Sequence, residues 1–166
     1  MKWRSKQLEV DRILTMLQEG PSRIAEAAAN VPANLLHVPP GADDWSANDV
    51  LAHLRACADI WGGCIEAILA EDSPTIRAVN PRTWIESTDY VEQNFRQSLR
   101  AFTRQRDNLL SLLHSLRSED WSRRATITGA GKPLVRTVHY YAEWLAVHER
   151  PHVKQIQRRV LAVTKG

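Results

Sequence analysis

His148-Glu149-Arg150-Pro151-His152 lies inside a long apolar-periodic stretch, Thr137 to Leu161, and its reading decides the fold. Two histidines four apart on one helix share a face and stand about 6 Å from each other, the spacing of a bidentate grip on a metal ion. Val138, Tyr141, Leu145, Ile156 and Val160 recur at helical spacing, and both histidines fall in phase with them. The stretch is therefore read as a helix, capped by Thr137, that turns two imidazoles toward a core. Pro151 removes a hydrogen bond to the Val147 carbonyl and crowds it, at a typical cost of ~3 kcal/mol in a helix interior. The apolar phase nevertheless continues across the proline, so a kinked but continuing helix is predicted.

The pentapeptide also satisfies H-E-x-x-H, the pattern in which two histidines bind zinc and the glutamate is a general base. That chemistry takes a third ligand from downstream, yet no His, Asp or Glu follows His152, and Pro151 interrupts the motif. A metalloprotease is not expected. A third ligand then has to come from upstream, where His37, His53, His114 and His139 are the candidates. His37 falls in a proline-rich loop, His114 near the end of a helix, and His139 one residue off the Val138 face. Only His53 sits on the core stripe of a neighbouring helix. Three imidazoles on two helices leave coordination positions open for water or substrate, as a catalytic site requires.

Outward from this site the chain reads as helices. Ser5 to about Asn30 carries Val10, Ile13, Leu14, Leu17, Ile24 and Ala28 on one face. Gly20-Pro21 within it predicts a bend or two helices meeting end to end. Pro32, Pro39, Pro40 and Gly41 hold a loop that Leu35 and Leu36 pin to the core. A second helix starts at Trp45-Ser46, with Ser46 and Asp49 as a capping box and Trp45 as a staple toward Val50. Its inward face runs Val50, His53, Leu54, Cys57, Ile60, Trp61, Cys64 and Ile68, ending near Glu71 to Pro74.

Ser73 to Ser87, with Pro74 and Pro81 and no sustained period, is a long connection able to join parallel neighbours. A third helix is predicted from Thr88 or Asp89 to about Leu116, with Val91, Phe95, Leu99, Phe102, Leu109, Leu113 and Leu116 on its stripe. Arg106 lands where that stripe calls for an apolar residue and is read as snorkelling at the bundle rim rather than binding substrate. Arg96, Arg100 and Arg104 fall on a solvated face. Ala125 to Val135, with Gly129-Ala130-Gly131 between β-prone runs, suggests a small hairpin before the last helix. The whole, residues 1–166, is read as one all-α domain, a four-helix bundle with a long crossover between helices two and three.

Composition narrows the function. With 43% hydrophobic residues in 166, the chain can bury a substantial core. Cys57 and Cys64 are seven apart on one helix, about 10 Å by rise, too far for a disulfide in an intact helix, which points to a reducing compartment. No run approaches the ~18 apolar residues of a membrane span, and Met1-Lys2-Trp3-Arg4-Ser5 has no apolar segment behind it, so a cytoplasmic location and no membrane partner are expected. Twenty-two basic against 19 acidic residues, a net charge of +3, do not demand a polyanion, and no nucleic-acid partner is expected.

Two blocks carry a resemblance. Trp45-Ser46-Ala47-Asn48-Asp49-Val50-Leu51-Ala52-His53-Leu54, then Thr137-Val138 with Ala146-Val147-His148-Glu149-Arg150-Pro151-His152-Val153-Lys154-Gln155-Ile156, resemble the DinB/YfiT-like superfamily along nearly the whole chain. The resemblance implies a four-helix bundle with the long crossover, a three-histidine divalent metal site and frequently a homodimer. Its ligands carry over to His53, His148 and His152. Characterised relatives include thiol S-transferases using bacillithiol or mycothiol and a mycothiol-dependent maleylpyruvate isomerase.

The expectation is thus a metal-dependent enzyme that activates a thiol or water nucleophile on a small molecule, as a thiol S-transferase or, second, a hydrolase, with a low-molecular-weight thiol as cosubstrate. The alternative is a non-catalytic, metal-tied structural or stress-response dimer. Three imidazoles suit Zn, Ni, Fe or Mn without choosing among them. Glu149 is a candidate base, although its direction, about 100° from His148, favours a carboxylate behind the ligands or on the surface. Cys57 is a candidate fourth ligand or a small buried hydrophobe. Asp59 is read as facing water rather than orienting a ligand, and Trp144 as packing more than as a pocket wall.

Overall fold

The computed structural model describes residues 8–165. Four long helices, α1 (Val10–Ala28), α2 (Ala47–Ala70), α4 (Phe95–His114) and α5 (Val138–Thr164), form the bundle, and a short helix α3 (Pro81–Ile85) lies in the crossover. Residues Ser5 to Gln7 of the first predicted helix lie outside the described residues. Helices α1 and α2 each pack on both α4 and α5, so these consecutive helices take opposite corners. A three-stranded sheet sits beside them, with β1 (Thr75–Arg77) parallel to β2 (Arg124–Thr128) and β2 antiparallel to β3 (Leu134–Thr137). Ile76 is opposite Ile127, and Thr126 opposite Val135.

The expected hairpin is thus present, turning through Gly129 at φ 84° and Gly131 at φ 83°, a region that disfavours a Cβ. The parallel partner β1 is an addition, because three residues are too few to show a period of two. No described helix is long and apolar enough to cross a membrane.

Local chemistry sets the helix starts. Ser46 and Asp49 form the reciprocal capping box on α2, with Asp49 N to Ser46 Oγ at 3.1 Å and Ser46 N to Asp49 Oδ2 at 2.9 Å. Thr137 accepts the Tyr140 amide at the start of α5. The third long helix begins later than its apolar stripe suggests, at Phe95, because Asn94 caps it by accepting from Arg96 N at 3.0 Å. Ahead of that cap, Thr88 to Gln93 form turns, and Val91 is 48% exposed. The Val91 carbonyl accepts from the buried Asn48 side chain at 3.0 Å, which draws this segment onto α2 instead of into a helix.

Two apolar clusters fill the bundle. One gathers Ile13, Leu17, Ile65, Leu113 and Leu145, and the other Ile24, Leu54, Phe102, Val153 and Ile156. Between them each long helix contributes polar or small residues, namely Gly20 on α1, Cys57 on α2, Arg106 on α4 and the His148-Glu149 pair on α5. This layer revises two readings. Arg106 is not at the rim but 2% exposed, forked onto Glu149, which is 3% exposed. Of the two arrangements expected at Gly20-Pro21, two helices meeting end to end is excluded, since α1 is continuous from Val10 to Ala28.

The two facts have one cause. Pro21 has no N–H to give the Leu17 carbonyl one turn before it, and Arg106 Nη1 donates to that carbonyl at 2.9 Å while also donating to Glu149 Oε2 at 2.9 Å. A Cβ on Gly20 would stand 2.9 Å from Glu149 Oε2, so glycine leaves room for the ion pair. In α5 the helix likewise continues through Pro151, and the Val147 position whose carbonyl it frees is 48% exposed and open to water.

Candidate metal centre

Helix α5 carries His148 and His152 one turn apart, and α2 brings His53 against both. The ring centroids are 5.4 Å apart for His53 and His148, 4.8 Å for His53 and His152, and 4.6 Å for His148 and His152. With a metal–nitrogen bond of about 2.0–2.1 Å and the ring centre about 1 Å behind the nitrogen, two imidazoles on one ion have centroids about 4.5 Å apart at a right angle and about 5.2 Å at a tetrahedral angle. The two spacings to His152 lie within that range and the His53–His148 spacing just beyond it. The donor atoms that lie within 4.8 Å of one another belong to His53, Cys57 and His148, and His152 is not in that group. The Cys57 Sγ lies 3.6 Å from His53 Nε2.

Protonation suits the same use. Burial, the neighbouring His152 and then Arg82 push His53 down to about 4. Burial, His152 and then His53 push His148 down to about 4. Both rings are therefore neutral at neutral pH, as a metal ligand must be. His152 Nδ1 donates to the Gln155 amide oxygen at 2.9 Å, which leaves its Nε2 lone pair free. The His148 Nδ1 is buried without a hydrogen-bond partner, and its ring is wedged edge-on against Trp61 at 4.9 Å and stacked near Trp144 at 6.2 Å. Burial and then the Glu149 charge push the Cys57 thiol up to about 12, so it stays protonated.

The rings face a cavity of about 440 Å³. Trp45 and Trp61 wall it, Cys57 lies in its floor, and Asn80, Pro81, Arg82 and Gln155 complete it. Trp45 has its ring centroid 5.4 Å from that of His53. Glu149 is not among the described residues lining the cavity, being engaged by Arg106. Trp144 does not line it either and is 44% exposed.

The remaining histidines have other partners. His37 Nε2 accepts the Phe95 amide at 3.2 Å, His139 Nε2 meets the Leu8 carbonyl at 2.8 Å, and His114 is exposed at the end of α4.

Asp59 differs from its expected water-facing role. It accepts from Tyr90 Oη at 2.6 Å, Gln105 Nε2 at 2.7 Å and Trp84 Nε1 at 3.1 Å, clamping the crossover to α2 and α4. Burial and then the bond to Asp59 push Tyr90 up to about 12, keeping it a donor there. Asn80 to Arg82 entered the site unnoticed at the sequence level. Their signal was local, since Asn80-Pro81 is a cap followed by a helix-starting proline, and Asn80 Oδ1 accepts Arg82 N at 2.9 Å.

Comparison with known proteins gives this geometry a context. A structure from Streptococcus pneumoniae matches with a TM-score of 0.62 and 12% identity, covering 96% of this chain and 92% of its own. YfiT from Bacillus subtilis, described as "a probable metal-dependent hydrolase with an unusual four-helix bundle topology", matches with a TM-score of 0.76 and 20% identity, covering 96% of this chain and 93% of its own. At these identities the likeness concerns the fold. No curated protein matches the sequence. The family model of the DinB superfamily, however, aligns with residues 16–156, from the middle of α1 through the histidine pair of α5, and the chain belongs to that superfamily.

Proposed function

We propose that this chain is a metal-dependent enzyme whose His53, His148 and His152 hold one divalent cation at the floor of the Trp45–Trp61 cavity. The observation that carries the reading is the convergence of three rings, at centroid separations of 4.6 to 5.4 Å, on an open cavity of about 440 Å³. A divalent ion there supplies Lewis acidity, which lowers the pKa of a thiol or water and provides a nucleophile at neutral pH. The protein's own residues set the conditions. Gln155 orients His152, while Trp61 holds the His148 ring. His152 shares the α5 face with His148, and Cys57, with Sγ 3.6 Å from His53 Nε2, stands beside the imidazoles as a further donor. Glu149 is held by Arg106 outside the cavity lining, so it is not placed to move protons there.

The room beside the ligands favours an enzyme over an ion that merely ties helices together, since a tie needs no small-molecule cavity. Transfer of a low-molecular-weight thiol to an electrophilic small molecule is the first reaction class, and hydrolysis the second. A reducing compartment and a homodimeric state belong to the same proposal.

The test is a panel of thiols with a chromogenic aryl halide, run beside an activated ester without thiol, on metal-reconstituted protein. Turnover that vanishes on chelation and in His53→Ala supports the reading, and the arm that responds identifies the nucleophile. A rate that survives chelation unchanged contradicts it.

A further inference from the structure

We propose that Arg82 is a specificity residue that binds a carboxylate of the small-molecule substrate, while the reacting end of that substrate lies at the three histidines. The inference rests on the metal-centre reading above. Arg82 lines the same cavity as His53, His148 and His152. Its backbone is fixed there: Asn80 caps its amide at 2.9 Å, and Trp84, in the same short helix, is tied to Asp59 at 3.1 Å.

Its side chain is uncommitted. Arg82 is exposed and has no carboxylate partner among the described residues, and its closest aromatic approach is Cζ to the Trp45 ring centroid at 6.0 Å. Arg55 and Arg106 show the contrast, since each spends its guanidinium on protein partners, Arg55 on Gln93 and Ser98 and Arg106 on Glu149 and Leu17.

The cavity also lacks a countercharge. No Asp or Glu lines it among the described residues, and Asp59 and Glu149 are engaged elsewhere, Asp59 by Tyr90, Gln105 and Trp84, and Glu149 by Arg106. Neutral imidazoles would leave the charge of a divalent ion uncompensated as well. A pocket with one uncommitted guanidinium, and no second Lys or Arg in its lining, matches the two oxygens of a carboxylate in a forked pair. A phosphate, with three oxygens and more charge, would call for further donors.

The experiment uses the full chain reconstituted with Co(II) and a series of ω-mercaptocarboxylates of increasing length, each beside its uncharged amide. The thiolate-to-cobalt absorption band reports binding independently of turnover. At one chain length the acid should bind about tenfold tighter than the amide in the wild type. In Arg82→Gln that preference should fall to near parity, with the amide's affinity and the cobalt content unchanged. An acid preference that persists undiminished in Arg82→Gln, as when the carboxylate chelates the ion itself, overturns the proposal. So does a wild type that binds acids and amides alike. If the wild type retains no cobalt, the metal-centre reading itself fails and this inference falls with it, whereas a wild type that holds cobalt yet gives no band with any of these thiols overturns the carboxylate proposal alone.

Discussion

At the scale of single residues, the side chains that shape this molecule most are the ones that break its patterns. Arg106 interrupts an apolar stripe, and it donates to the Leu17 carbonyl, which Pro21 within α1 leaves without its helical donor. Glu149 completes the set by neutralising the arginine. Removing one partner of a buried pair typically costs about 3–5 kcal/mol, whereas replacing both with apolar residues of like volume is often near neutral. Arg106→Met should therefore lower the unfolding free energy in urea by about that amount. The double variant Arg106→Met/Glu149→Met should recover most of it, short of the roughly 1–3 kcal/mol expected for an orphaned Leu17 carbonyl. Adding Pro21→Ala restores an N–H for that carbonyl, so it should stabilise the double variant more than it stabilises the wild type. Equal effects in the two backgrounds would separate the proline from the ion pair.

At the scale of elements, the four long helices were legible through their sustained apolar periods, and α2 and α5 also through their caps. Ser46-Asp49 and Thr137 mark two starts to within a residue. The β2–β3 hairpin was legible through its glycines. Where the pattern misled, a tertiary contact had overridden it. Val91 is in phase with Phe95 and Phe102, yet Asn48 holds its carbonyl and Asn94 caps the helix after it. Strand β1 and helix α3 are too short for any period to register.

The site divides the same way. His53, His148 and His152 stood out because polar rings on apolar stripes are conspicuous. Arg82 and Gln155 did not, because an exposed arginine in a connection and a half-buried glutamine carry no sequence signal until the fold brings them to one cavity.

At the scale of the whole molecule, a polar layer crosses the bundle between two apolar clusters, with the Arg106–Glu149 pair inside it and the histidines where it opens to the cavity. Such a layer makes stability depend on pH. His53 and His148 are held down to about 4, against 6.5 in an unfolded chain. Between these values the unfolded chain binds protons that the folded chain refuses. Their contribution is therefore complete above about pH 6.5 and is lost as the pH falls toward 4. Urea midpoints of the metal-free protein should drop across that window. The drop should be shallower in His53→Gln/His148→Gln, whose side chains do not titrate, and an identical slope in that variant would place the titration elsewhere.

The claim on which the rest depends is that three histidines from two helices form one metal centre. The most direct measurement is metal content by elemental analysis after reconstitution with a divalent ion and removal of excess. The account predicts one ion per chain in the wild type and in Cys57→Ser, and marked loss in His53→Ala, His148→Ala and His152→Ala, each checked for retained helical structure. A wild type that retains no ion, histidine variants that retain as much as the wild type, or a site lost in Cys57→Ser but kept in His152→Ala would contradict it.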